Sequence, residues 1–328
     1  MDVARKRMGG RIPAFVTEYL GMAAALVLLI AVFGFSTENF FSIATFRMIA
    51  NQIPDKTIVA VGMTLVLIIA GIDLSVGSVL ALSGAVLGVC MVRYELPLTT
   101  AIAACLGVGV FCGLFNGLVV IRWKLPAFIV TLGMLEIARG ATYWVTDSRN
   151  LYIGGPVEVI AETSFLGFSL PFIIALAIVI VVQVILSKSV FGRYLIAIGT
   201  NEEAVRLSGI DPRPIKLAVF VLCGVLTSIA AVLHTSRLSS ANPNAGAGLE
   251  LQAIAAVVIG GTSLMGGRGS VVRTFFGVLI IEVLGRGLDQ VGAQESTKRL
   301  VTGCVIVAAV ILDYYRHRLG TRAAKKAG

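Results

Sequence analysis

Charge is what this chain has least of. Asp, Glu, Lys and Arg make up only 14% of its 328 residues, where a soluble domain would carry roughly a quarter. Whole runs carry none: Leu74 to Val92, Leu96 to Ile121 and Thr163 to Ser187. Such runs approach or exceed the roughly 20 apolar residues that cross a bilayer, which argues against a large soluble α/β protein with short core strands. Catalytic apparatus is missing too. No GxxxxGK[ST], HExxH or GxSxG occurs, so the chain has no P-loop of its own. Of its 2 histidines, His317 belongs to the basic tail and only His234 lies elsewhere. Cys90, Cys105, Cys112, Cys223 and Cys304 stand in or near apolar runs without CxxC spacing. They read as small packing residues, with neither a disulfide frame nor a metal site. The net charge of +9 does not indicate nucleic acid, because the basic residues are dispersed between apolar runs.

What is there is apolar: 57% hydrophobic residues, 36 Gly and a mean hydropathy of +0.93. An all-α polytopic membrane protein is expected, a single transmembrane domain over residues 1–328 with about ten spans. They are Tyr19–Phe35, Thr57–Ala70, Val76–Val92, Leu98–Val120, Ala127–Val145, Leu166–Leu186, Leu217–His234, Leu251–Leu264, Val271–Leu288 and Leu300–Leu312. An amphipathic stretch, Asn39 to Lys56, precedes the second span, with Pro54 expected to break it. No small-residue cleavage site follows the first apolar run, which is read as a retained helix.

Lys and Arg set the orientation, since cytoplasmic loops are richer in them. With the N-terminus inside, Arg5, Lys6, Arg7, Arg11, Arg122, Lys124, Lys188, Arg193, Arg206, Arg213, Lys216, Arg268, Arg273 and the tail from Arg316 to Lys326 all fall on that side. Both termini and the segment 188–216 are then cytoplasmic, and the polar stretch 146–165 is external. A short echo links Ala70–Val79 with Gly260–Val271, each joining a span that enters the inner side to one that leaves it. It is consistent with a parallel internal repeat or with chance likeness of Gly-rich turns.

Polar residues inside the spans are the candidates for a solute pathway: Asp73, Ser75, Asn116, Glu136 and Arg139. A lone Asp73 must face the bundle interior or water. It either caps the following helix, taking a backbone N–H near Val76, or meets substrate; capping is favoured. Glu136 and Arg139, three apart, can neutralise each other as a functional pair or as a structural lock. Glu282 and Arg286, four apart, pose the same choice. Asn116 reads as glue between helices rather than a ligand contact.

The most informative segment is Ala197 to Ile210, charged and bounded by glycines between two apolar runs. Thr200 to Ile210 should form a short helix. Thr200 or Asn201 caps it, Glu202 and Glu203 occupy its first turn, and Gly209 ends it. Asp211, Pro212 and Pro214 stop it from continuing into the next span.

Glu203-Ala204-Val205-x-x-x-Gly209 resembles the Glu-Ala-Ala-x-x-x-Gly loop of ABC importer permeases, departing at Val205. The run from Phe191 through Gly199 to Ile210, with Gly71–Ser78, Pro126–Met134 and Gly260–Gly269, is similar to the ribose/xylose/arabinose-type permeases in particular. That resemblance spans nearly the whole chain. It implies a bacterial inner-membrane permease, two copies of which form the pathway as a homodimer or heterodimer. A cytoplasmic ATPase would use ATP and Mg, and a periplasmic sugar-binding protein would deliver the solute; this chain would bind no cofactor itself. It also implies that Gly199, Asn201, Glu202, Glu203, Ala204, Arg206 and Gly209 form the coupling element at the ATPase. A permease for a branched-chain amino acid, a nucleoside or a furanone signal shares the pattern. An ion-coupled secondary transporter would need a relay of carboxylates or His at the midplane, for which only Glu136 and Asp73 qualify.

Overall fold

The structure is a computed structural model that describes residues 14–37, 40–165, 167–305, 307–308 and 311. The basic N-terminal cluster, His317 and the basic tail lie outside the described residues.

Eleven helices follow one another along the described chain: α1 Ala14–Ser36, α2 Ile43–Ile68, α3 Val76–Val92, α4 Leu98–Trp123, α5 Ala127–Thr146, α6 Gly155–Glu162, α7 Leu170–Lys188, α8 Val190–Leu207, α9 Arg213–Leu238, α10 Leu249–Ile259 and α11 Val271–Gln290. A last helical stretch runs over 295–305. Among the described residues strand is confined to two-residue pieces. Leu151–Tyr152 (β1) pairs antiparallel with Ser240–Ala241 (β4), and Ser164–Phe165 (β2) with Phe168–Ser169 (β3).

The bundle is apolar outside and hydroxyl-bearing inside. Val27, Leu28, Phe111, Ile137, Ile180 and Val181 are exposed, while Thr64, Ser83, Thr227, Ser228 and Thr274 are buried. The buried hydroxyls pair across helices: Thr64 with Thr274 at 2.8 Å and Ser83 with Ser228 at 2.8 Å. A soluble domain sorts these residue types the other way; an apolar solvent imposes this arrangement. Among the described residues four helices are long and apolar enough to cross a membrane: Tyr19–Ser36 within α1, α4, α7 and α9. α3 and α10 are apolar but shorter.

α2 is the hub. From Thr57 to Ile68 every residue is buried, as expected of a helix hydrophobic on all sides. The expected break at Pro54 does not occur: α2 runs through it from Ile43 to Ile68. The ring costs one helical hydrogen bond and crowds one carbonyl, and packing on all sides of the second half holds the helix together. α4 and α9 cross closely because small residues line the seam. Gly109, Gly113 and Gly117 recur every fourth position; a Cβ on Gly109 would strike Gly224 O, and one on Gly113 would strike Phe220 O. This is small-residue helix packing.

One further expectation is corrected. The helix expected over Leu251–Leu264 spans only Leu249–Ile259, because Gly260 and Gly261 end it and Gly261 takes a positive φ of 76°. The charged segment 188–216 is mostly helix, since α8 follows α7 after the single residue Ser189.

Candidate functional site

α8 is two helices joined at a kink. In its first part Gly192, Leu195 and Ile198 are buried. Ser189 starts it, its Oγ accepting from Gly192 N at 3.1 Å. At Asn201 the backbone turns extended (φ −161°, ψ 94°), and Asn201 Oδ1 accepts from Ala204 N at 2.9 Å. Asn201, not Thr200, is therefore the N-cap of the second part; Thr200 Oγ1 instead donates back to Ile196 O. Gly209 ends this part in the left-handed region at φ 84°. Gly209 N donates to Arg206 O at 3.0 Å and Ile210 N to Val205 O at 3.3 Å, a Schellman closure that also brings Ile210 back over the buried Val205.

The result is a one-and-a-half-turn helix pinned at both ends, with Asn201, Glu202, Glu203, Ala204, Arg206 and Gly209 all exposed. Glu203 accepts from Arg206 at 2.6 Å and Glu202 from Lys216 at 2.9 Å. The second bond ties the helix to the start of α9. A groove of about 700 Å³ runs beside it, walled by Val120, Lys124, Glu202, Arg206, Asp211 and Lys216 among others. Gly199 stands just before the kink at a close crossing: a Cβ there would strike Ile68 O and Gly267 N. Gly267 N itself donates to Ile68 O at 2.9 Å. The two echoed Gly-rich turns thus meet at this helix.

A second constellation lies inside the bundle. Asp73 Oδ1 accepts from Ser75 N at 2.9 Å and from Ser75 Oγ at 2.6 Å. Asn116 Nδ2 reaches Ser75 Oγ at 3.1 Å. Asp73, Ser75 and Asn116 are all buried, and the structure brings these three candidates together. The favoured capping role takes a tighter form than expected: Asp73 closes a local turn onto Ser75, one residue before α3, rather than reaching Val76. Thr131, not singled out by the sequence, bridges the unwound stretch to α5. Its Oγ1 donates to Ile72 O at 3.1 Å and accepts from Leu74 N at 3.0 Å. Asn116 Oδ1 is buried without a hydrogen-bond partner.

Glu136 and Arg139 do not form the expected pair. Glu136 is exposed, and Arg139 Nη1 donates to Pro243 O at 2.7 Å and Ala245 O at 3.0 Å. Nor do Glu282 and Arg286 pair. Glu282 is buried against Lys56 Nζ at 2.6 Å, and Arg286 lies 3.8 Å from Asp289. Arg139 and Glu282 each take a partner on another element instead, while Arg286 turns to Asp289 on its own helix. Sequence reasoning also missed the cluster at the opposite end, where Asp55 Oδ2 sits 2.6 Å from His234 Nδ1 and 3.1 Å from Arg237 Nη2. It missed Gln183, whose Oε1 accepts from Ser270 Oγ, Val271 N and Val272 N and so caps α11 from α7. The one available signal for Gln183 was an amide inside Leu170–Leu186, a stretch otherwise free of polar side chains. All five cysteines are free, and among the described residues no group of three His, Cys, Asp or Glu could hold a metal ion.

A helical bundle with an apolar exterior, polar groups along its interior and helices long enough to cross a bilayer is the architecture of a multi-pass membrane protein. Residues 45–310 match the family model described as branched-chain amino acid transport system / permease component, and the chain belongs to that family. It is 42% identical over 303 residues to the ribose import permease protein of Haemophilus influenzae, covering 91% of this chain and 93% of that one. To the fructose import permease protein of Rhizobium meliloti it is 34% identical over 96% of this chain and 91% of the relative. To the D-allose transport system permease protein of Escherichia coli it is 35% identical over 92% and 93%. No solved structure matches.

Proposed function

We propose that this chain is the membrane-spanning subunit of an ATP-driven importer of monosaccharides, with ribose the first solute to test. The observation that carries the reading is the 42% identity to a ribose import permease over 91% of the chain. It is joined by an exposed capped helix suited to receive a partner. In this reading the end bearing Asn201–Gly209, Lys124 and Arg268 is cytoplasmic, and the end bearing the β1–β4 ladder faces the periplasm. A cytoplasmic ATPase seats the helix from Glu202 to Gly209, with the groove beside it accepting part of the same partner. Nucleotide and Mg bind the ATPase, not this chain. A periplasmic binding protein supplies affinity for the sugar, so the permease needs only weak contacts. A second permease copy completes the pathway.

Driving force then comes from partners that bind two permease states with different affinities. The relatives named for fructose and D-allose keep hexoses as the second solute class. The test is reconstitution of the permease with its ATPase and binding protein in liposomes. Ribose should accumulate only with ATP on the ATPase side and the binding protein on the other. Uphill uptake by the permease alone would overturn the reading.

A further inference from the structure

Resting on that reading, we propose that the segment 242–248 and the α5 face bearing Glu136 and Arg139 line a hydrated path through the bundle and hold the passing polyol. Glu136 sits at the middle of α5, about 14 Å from either end at 1.5 Å per residue. It is exposed there, and among the described residues it forms no ion pair. A carboxylate at that depth cannot rest against lipid without large cost; it faces water or a polar cavity.

The segment beside it is irregular backbone at the same depth. It leaves β4 at the β1–β4 end, where a Cβ on Gly88 would lie 2.8 Å from Ala241 Cβ. It then reaches Gly246, whose carbonyl a Cβ on Gly77 would strike. Gly77 is the second residue of α3, eleven positions from Gly88, so the chain descends about 16 Å along that helix. α10 starts from there with 11 residues, about 16 Å of helix in a core about 30 Å thick. Together they make a re-entrant loop and a half-helix.

Side chains from α5 hold the loop. Arg139 binds the carbonyls of Pro243 and Ala245, and Tyr143 Oη donates to Asn244 Oδ1 at 2.6 Å. Gly246 and Gly248, at φ 66° and 79°, supply the bends. Irregular backbone at membrane depth is tolerated only when packed in protein or lining a water-filled cavity. Asn242, Asn244 and Ala247 are exposed, which leaves the second case.

The chemistry suits a neutral, many-hydroxyl solute. Glu136 offers a free acceptor, and the amides of Asn242 and Asn244 offer donors and acceptors. Arg139, the one cation of this face, already spends a guanidinium nitrogen on backbone carbonyls. Glu136, with Glu250 against Gly77, disfavours an anion.

The experiment uses the assembled complex in liposomes, with Cys90→Ser and Cys304→Ser as background. Glu136→Cys and Asn244→Cys should react with a charged, membrane-impermeant thiol reagent at least tenfold faster than Ile180→Cys on the lipid face of α7. Rates no faster than that control would overturn the path. In the second arm, Glu136→Gln and Asn244→Ala should lower ribose uptake at least fivefold while ATP hydrolysis stimulated by the binding protein persists. Unchanged uptake would overturn the contact role. If the unsubstituted complex takes up no ribose yet both cysteines label fast, the path stands and the monosaccharide reading falls.

Discussion

Gly199 shows how much a single missing Cβ can decide. Its Cα lies where Ile68 O and Gly267 N converge, so a methyl group there must push two backbones apart. Gly199→Ala should cost about 1–3 kcal/mol, the range for forced overpacking, read as a lowered thermal midpoint of the purified protein. An unchanged midpoint would mean that the crossing is loose. The Lys56–Glu282 pair makes a second residue-scale case. Glu282 keeps 8% of its side chain exposed and Lys56 32%. Lys56→Ala leaves a buried carboxylate unpaired and should destabilise by about 2 kcal/mol, less than a fully buried pair because Lys56 still reaches solvent. Lys56→Met with Glu282→Leu should recover most of that loss. If the double variant is as unstable as the single one, charge is not what the site punishes. Such partners were not legible in the sequence. Spacing of three or four along one helix nominated Arg139 for Glu136 and Arg286 for Glu282, and a one-dimensional pattern carries no information about which other helix lies opposite.

At the scale of elements the sequence read best where local rules decide. The helix from Asn201 to Gly209 follows from an amide cap, two acids in the first turn and a glycine at the required positive φ, all within eleven residues. Asn201→Ala should loosen its first turn by about 1 kcal/mol. Gly209→Val should cost about 1–2 kcal/mol at φ 84°. Both variants should insert normally yet pull down less ATPase than the unsubstituted chain; equal pull-down would place the docking surface elsewhere. Elements failed where tertiary packing outweighs propensity. Pro54 reads as a breaker, but α2 is buried on every side beyond it and continues. Leu251–Leu264 reads as one span, but hydropathy does not register that Asn242–Gly248 dips inward and α10 starts deep. The unwound stretch before α3 was visible as Gly71-Ile72-Asp73, whereas Thr131, which holds it, looked like any threonine in an apolar helix.

For the whole molecule the consequence is one continuous line of contact. Gly199, two residues before the cap of the exposed helix, lies against Ile68 O and Gly267; Ile68 leads through Ala70 into the turn that sets Asp73 and Ser75 against Asn116. Gly266 fits closely here: a Cβ added to it would lie 2.8 Å from Gly199 O and 2.9 Å from Ala70 Cβ. A push on the exposed helix therefore bears on two Gly-rich turns at once, one leading to α3 and the other to α11. Backbone against backbone transmits displacement with little give, because packed interiors shift between discrete arrangements rather than deform smoothly. Gly266→Ala, strained at φ 83° and crowding Ala70, should break this line without touching the docking surface. The expected phenotype is uncoupling: the reconstituted complex still binds its ATPase and still hydrolyses ATP, while solute uptake falls at least tenfold. Uptake that keeps pace with hydrolysis in this variant would show that force reaches the pathway by another route, with α7 and its Gln183 cap on α11 the next connection to cut.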